Sequence, residues 1–430
     1  MDWFKTLLVA CAALGPAAGT GRAQAPPEDD RFRGGVFAAP RGDTPFLPAA
    51  AQGPLPGDEA VRRADFTQPP TPAPPADVFD AGDAAQNREF VFGPEACPSP
   101  DPRATRVWFG AEALLGTTRS VGVVPVVTTG PVVGVPAAVG QPATVPLFGG
   151  RRMLGDWRGG LRAEGGVWFD RAHDAGAVAR YYSLYSTSDQ FDGAGTGTNV
   201  LNVPQFVGLG GLVLQVPAYV GFPGFTTGTV SATTQTMFAG GDLNVRLRTR
   251  QGRHWRVDAL AGYRQLYLRD ELGYAFTAAG AVPPPFSLTA SAAQSVRTRN
   301  EFYGGNVGLL ATAGGKRWLV EGLAAYSLGV NTSALDFDRN VVFAATGIPA
   351  TPVVNTTTRD PMTYLGSVAE GGVRVGYRVT EHARLTVGYT ALYWNNVRRA
   401  QDQVALSPGL TGEMTHFFAH MLSCGAEFRY

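Results

Sequence analysis

The chain has 430 residues and a formal net charge of +1, with 17% charged residues beside 55 Gly and 32 Pro. Near-neutrality removes the electrostatic argument for a nucleic-acid partner or an acidic substrate. No run reaches the roughly 18 apolar residues of a membrane helix, so any bilayer crossing must be made by a closed β-barrel.

Residues 1–23 read as an export signal, with Lys5 near the start, the apolar "TLLVACAALGPAAG" and the small-residue "GRAQA". Cleavage after Ala23 is expected, because a cut after Ala25 would set Pro26 beside the scissile bond. Residues 24–104 hold "AAPRGDTPFLPAAAQGPLPGDEA" and "QPPTPAPPADVFDAGDAAQ", which show no apolar period. They read as a disordered, Pro-rich periplasmic linker. Cys97 and Cys424 then remain; a disulfide between them is one reading in an oxidising compartment, and two separate thiols is the favoured one.

From Arg106 onward the texture changes to alternation, the pattern of strands with one apolar face. "RVWFGAEALLG" sets Val107, Phe109 and Leu115 against Trp108 and Glu112. "GLRAEGGVWFD" sets Leu161 and Val167 against Arg162 and Glu164. "AVARYYSLYS" opposes Tyr181 and Tyr185 to Arg180, Tyr182 and Ser186. "GDLNVRLR" and "HWRVDALAGYR" follow, with Asp242, Arg246, Asp258 and Arg264 on their polar faces. Then come "FYGGNVGLLA", "RWLVEGLAAYSLG", "GGVRVGYRV", "RLTVGYTALYWNN" and the closing "HMLSCGAEFRY". That is ten strands over residues 105–430. Twelve is the alternative, if "LVLQVPAYVGF" and a neighbour pair across the wall.

Tight turns near 171–176, 251–253, 313–316 and 380–383 alternate with long excursions at about 121–156, 190–232, 270–298, 336–362 and 399–414. This is the arrangement of an all-β, transmembrane, antiparallel up-and-down barrel, with turns in the periplasm and loops outside. A soluble sandwich also alternates. Strands of about ten residues match a tilted bilayer crossing better than the roughly six usual elsewhere. Trp255, Trp318, Phe428 and Tyr430 near strand ends suit interfacial girdles.

The expected inner face then carries Glu112, Arg162, Glu164, Arg180, Asp242, Arg246, Asp258, Arg264, Glu321, Glu370, Arg374, Arg378, Glu427 and Arg429. One reading is a charged constriction that selects permeants. The favoured one is an interlocked ion-pair network, since a barrel near eight strands has room for little beyond side chains. Chemistry is expected to be absent. His173, His254 and His382 lie at turns, His420 points to lipid, and only His416 could join a loop carboxylate. No cofactor or metal site is expected.

The ordered motifs "VWFGAEALLGTTRS", "PVVTTG", "LFGG", "RTRNEFYGGNVGLLA", "RWLVEGLAAYSLG", "GGVRVGYRVTEHARLTVGYTALYWNNVRRAQDQV" and "CGAEFRY" resemble the seventh-numbered beta-barrel porin family common in planctomycetes. The resemblance implies an outer-membrane barrel, with "porin" given by fold. The implied partners are outer-membrane lipid, periplasmic chaperones and the barrel-assembly machinery. Leu422, Ala426, Phe428 and Tyr430 resemble the C-terminal signal which that machinery reads. The expected function is a porin-like barrel with a narrow, charge-lined or plugged lumen and long outer loops. A closed structural or surface-display barrel is the alternative, and a loop-borne enzyme a remote third.

Overall fold

A computed structural model describes residues 106–132, 137–209, 212–280, 288–403 and 413–430. The export signal, the linker and Cys97 lie outside the described residues. Ten strands form the wall: β1 (Val107–Thr118), β2 (Arg158–Trp168), β3 (Ala175–Gly195), β4 (Thr226–Gln251) and β5 (Trp255–Gly280) come first. They are followed by β6 (Leu288–Gly314), β7 (Trp318–Ala345), β8 (Ile348–Arg378), β9 (Ala383–Val397) and β10 (Thr415–Arg429). Each pairs antiparallel with the next, and β10 returns to β1 with Phe109 opposite Phe428. The ring closes at ten. The twelve-strand alternative fails because Leu212–Gly221 pairs with Leu201–Leu209 in a separate sheet, not in the wall.

The alternation is inverted relative to a soluble protein. On β1, Phe109 is 52% exposed while Glu112 is 6% exposed. Val245, Leu247, Leu309, Val320, Val373 and Val387 likewise point outward, whereas Asp258, Arg264 and Asn306 are fully buried. An outward apolar surface of this kind needs lipid around it. No helix among the described residues is long and apolar enough to cross a membrane. A charge placed on the lipid face should therefore be costly. Val245, opposite Ala261 and Ala177 in the middle of the apolar band, is the test. Val245→Arg should lower the urea-unfolding free energy in lipid vesicles by about 2–4 kcal/mol. Thr233→Arg, outward but above the band, should stay within about 0.5 kcal/mol.

The turns fall at one end, together with both ends of the barrel domain. In the β2–β3 turn the Asp170 carboxylate accepts the backbone N–H groups of Asp174 and Ala175 at 2.9 and 2.8 Å. Those bonds hold its carboxyl below the ordinary Asp value.

The other end differs from expectation. Strands β4 to β8 run 26, 26, 27, 28 and 31 residues, far beyond the ~10 that a crossing needs. Most of 270–298 and 336–362, read as loop, is continuous ladder. Its Thr, Val and Ala content is β-favouring, and a two-residue turn at Thr346 and Gly347 (φ 79°) closes one hairpin. On the flanks β2 covers β3 only as far as Leu184, and β9 covers β8 only from Val368. Above these points β3–β8 stand as a raised six-stranded wall. Pro361 lies in the uncovered part of β8, where a missing N–H is tolerated.

A bulge corrects one face assignment. Leu184 pairs with Phe238 and Thr187 with Thr236, so Tyr185 and Ser186 together oppose Met237. The extra residue turns Ser186 outward, not inward as its parity had implied.

The two earliest excursions fold back inside the raised wall. Val127–Thr129, Val145–Phe148, Leu201–Leu209 and Leu212–Gly221 form a four-stranded sheet. Val121–Val123 pairs with Arg151–Met153 beside it. Val127, Phe148, Leu201, Val203 and Val220 pack with Val230, Leu272, Phe276, Val296 and Leu335 of the wall's inner face. The upper barrel therefore has an apolar core built from its own loops.

Candidate functional site in the barrel interior

Inward residues are stacked in layers along the axis. At the turn end, Trp108 and Trp168 sit with ring centroids 5.2 Å apart. Arg246 and Arg256 lay their guanidinium groups over Trp168 at 4.7 and 4.6 Å. Asp258 receives both arginines, Arg246 Nε at 2.7 Å and Arg256 Nε at 2.5 Å.

The next layer is the charge network. Arg180 on β3 donates to Asp242 Oδ1 and Oδ2 at 3.0 and 2.7 Å. It also donates to Glu370 on β8 at 3.2 Å. These two strands are five places apart round a ring of ten, so that pair spans the diameter. Arg264, fully buried, bonds Glu370 and lies 3.4 Å from Asp242. Arg374 joins Glu321 at 2.6 Å, Glu164 at 3.3 Å and Glu112 at 3.5 Å, reaching from β8 to β2 and β1. Glu112 also takes Arg162 at 3.2 Å and the Thr386 hydroxyl at 2.9 Å. Glu427 accepts Arg429 Nε at 2.7 Å.

One assigned residue stands apart. Arg378 shares the inward parity but is exposed at the turn end and makes no ion pair among the described residues. The strand runs out into the β8–β9 turn there, beyond the last carboxylate. Its place is taken by Arg384 on β9, whose Nη2 bonds Glu427 and Glu321, the latter at 3.2 Å. Arg384 was legible, since it keeps the parity of Thr386 and Thr390, but its position beside a turn hid it.

An apolar layer lies above the charges. Phe238 on β4 meets Phe417 on β10 at 4.7 Å, across four places of the ring. Trp394 packs at 6.3 Å from Phe302 and donates its indole N–H to Asn331 Oδ1 at 2.9 Å. All five residues are fully buried. Higher still is a second polar cluster that sequence reasoning missed. There the helix α1 (Ala400–Gln403) follows Arg398 and Arg399 into the interior. Arg399 pairs with Asp270, Arg398 with Asp360 at 2.8 Å, and Gln401 with Thr234 at 2.9 Å. Asp270 keeps the inward parity of Arg264, yet it fell within a segment read as loop.

The outward C-terminal residues Leu422, Phe428 and Tyr430 are 44%, 43% and 72% exposed, with Ala426 on the same face. His416 is bonded to Arg119 and stacks on Tyr393, with no carboxylate bonded to it among the described residues. His173 stacks on Trp168 in its turn, and His420 bonds the Tyr389 hydroxyl. Among the described residues no group of His, Cys, Asp and Glu has the arrangement of a metal site.

The family described as "Putative beta barrel porin-7" matches residues 108–425, the whole ring from Trp108 to the last strand. The chain belongs to this family. The match reaches every strand of the wall and both inward loops, and its description states a fold, not a solute. No curated protein matches the chain. Among solved structures it is similar to the outer membrane protease OmpT from Escherichia coli, at 13% identity and a TM-score of 0.40. That alignment covers 77% of this chain and 98% of the other. A Pseudomonas aeruginosa FadL homologue aligns at 9% identity and 0.22, over 77% and 96%. An anion-selective porin from Comamonas acidovorans aligns at 10% and 0.16, over 76% and 100%. At these values the likeness carries no activity to the family member described here.

Proposed function

We propose that the protein is exported by a cleavable signal and inserted in the outer membrane as a barrel with a filled lumen. It serves there as a structural or display barrel that holds its raised wall at the cell surface, not as an open diffusion pore. The observation that carries this reading is the contact of Phe238 with Phe417 at 4.7 Å from nearly opposite strands. Fully buried aromatic side chains meeting across an interior leave no continuous water column at that level. The charge network below and the loop core above support the same reading. Arg-rich networks make good fillers, because each planar guanidinium serves several carboxylates at once. His416, held by a cation instead of an acid, supports a non-enzymatic role.

Planar-bilayer recording tests it. The wild-type barrel should show no steady conductance above the bare membrane. Phe417→Ala combined with Phe238→Ala should introduce flickering leak. A large, stable, ohmic conductance of the wild type would overturn the filled-lumen reading and restore that of a pore.

A further inference from the structure

The turn end of the barrel holds a cavity of about 170 Å³ lined in part by Trp108 and Trp168. One water needs ~10–15 Å³ of such volume, so a small solute with some hydration fits. Five arginines and three glutamates line it, and Asp258 stands behind two of the arginines. One positive charge is left over. The glutamates are already engaged, with Glu164 and Glu321 on Arg374 and Glu427 on Arg429 and Arg384.

The arginines are not fully used. Arg384, 6% exposed, spends Nη2 on both of its carboxylates, and its Nε and Nη1 have no acceptor among the described residues. Arg256 lies over Trp168 and gives Nε to Asp258, while its buried Nη2 has no acceptor among the described residues. A buried cationic donor without an acceptor is costly. A ligand rich in acceptors and negative charge relieves that cost.

We propose that this cavity binds a small free oxyanion of the phosphate or sulfate class, taken up through the turn-end mouth by Arg384 and Arg256. The site goes beyond the filled-lumen reading and does not depend on it, since equilibrium binding at one mouth needs no conduction. Calorimetric titration of inorganic phosphate into the folded, full-length barrel in a nonionic detergent, at matched ionic strength, tests it. Tryptophan fluorescence gives a second readout. Saturable binding near one to one is expected. Arg256→Gln and Arg384→Gln should each weaken it by roughly tenfold or more. Arg359→Gln, on the outer surface, should leave it unchanged. Should Arg384→Gln fail to fold, Arg256→Gln decides, because Arg246 still pairs Asp258 in that variant. Absence of saturable binding by the wild type, or equal affinity in Arg256→Gln, overturns the proposal. Binding of a short-chain phosphatidylglycerol without binding of inorganic phosphate also overturns it, by making a lipid headgroup the ligand.

Discussion

A chain lacking Phe428–Tyr430, or carrying Tyr430→Asp, should accumulate as unfolded precursor with almost no heat-modifiable barrel band. The seam between β1 and β10 starts at this end. Tyr430 N–H donates to Val107 O at 2.8 Å, and Val107 N–H donates back to Tyr430 O at 3.1 Å. The next pairs are Trp108 with Arg429 and Phe109 with Phe428. Deletion leaves the start of β1 as an open edge in lipid, where each unmatched backbone group costs several kcal/mol. It also strips two outward aromatic rings from the girdle. Gel mobility before and after heating, with membrane fractionation, reads the outcome. Normal insertion of the shortened chain would contradict it.

Arg374→Ala should be nearly as damaging, whereas Arg378→Ala should be close to silent. Arg374 reaches Glu112, Glu164 and Glu321 from an 18% exposed side chain. Its removal leaves buried carboxylates short of a counter-charge, a defect worth about 3–5 kcal/mol. Arg378 is exposed and has no ion-pair partner among the described residues, so its loss should fall within about 0.5 kcal/mol. Urea unfolding of both variants in one lipid gives the comparison. Equal destabilisation by the two would mean that the network does not hold the wall as described.

The faces of the wall were readable from the chain because alternation has a period of two, and a barrel wall obeys it over long runs. Glu112, Arg180, Asp258 and Glu370 were placed inward on that basis alone. Parity failed at Ser186, where one inserted residue reverses every later side chain on the strand. It could not see Arg398, Arg399 or α1, which enter the interior from a segment with no strand period. The height of β4–β8 was also hidden. Above the membrane, outward positions such as Ser231 and Thr233 turn polar, so alternation of apolar with polar fades although the ladder continues. The excess of Thr over Gly and Pro in "TTGTVSATTQTMF" was the remaining signal.

The span of the ion network has a consequence for the order of folding. Arg374 and Glu164 are separated by 210 residues, and Thr386 and Glu112 by 274. Contacts so distant in sequence come only after the closure entropy of the whole intervening chain has been met. While β8–β10 are still arriving, Glu112 and Glu164 on the first strands have no Arg374 to face. Arriving hairpins therefore gain backbone pairing and neighbouring-strand ion pairs such as Arg162 with Glu112 stepwise, but the bonds that cross the interior engage late. Until the ring shuts, Glu164 and its neighbours on the concave side lack their cross-barrel partner Arg374, which keeps that side wetted and opposes premature burial in lipid. Electrostatics here sets the sequence of events as well as the final strength.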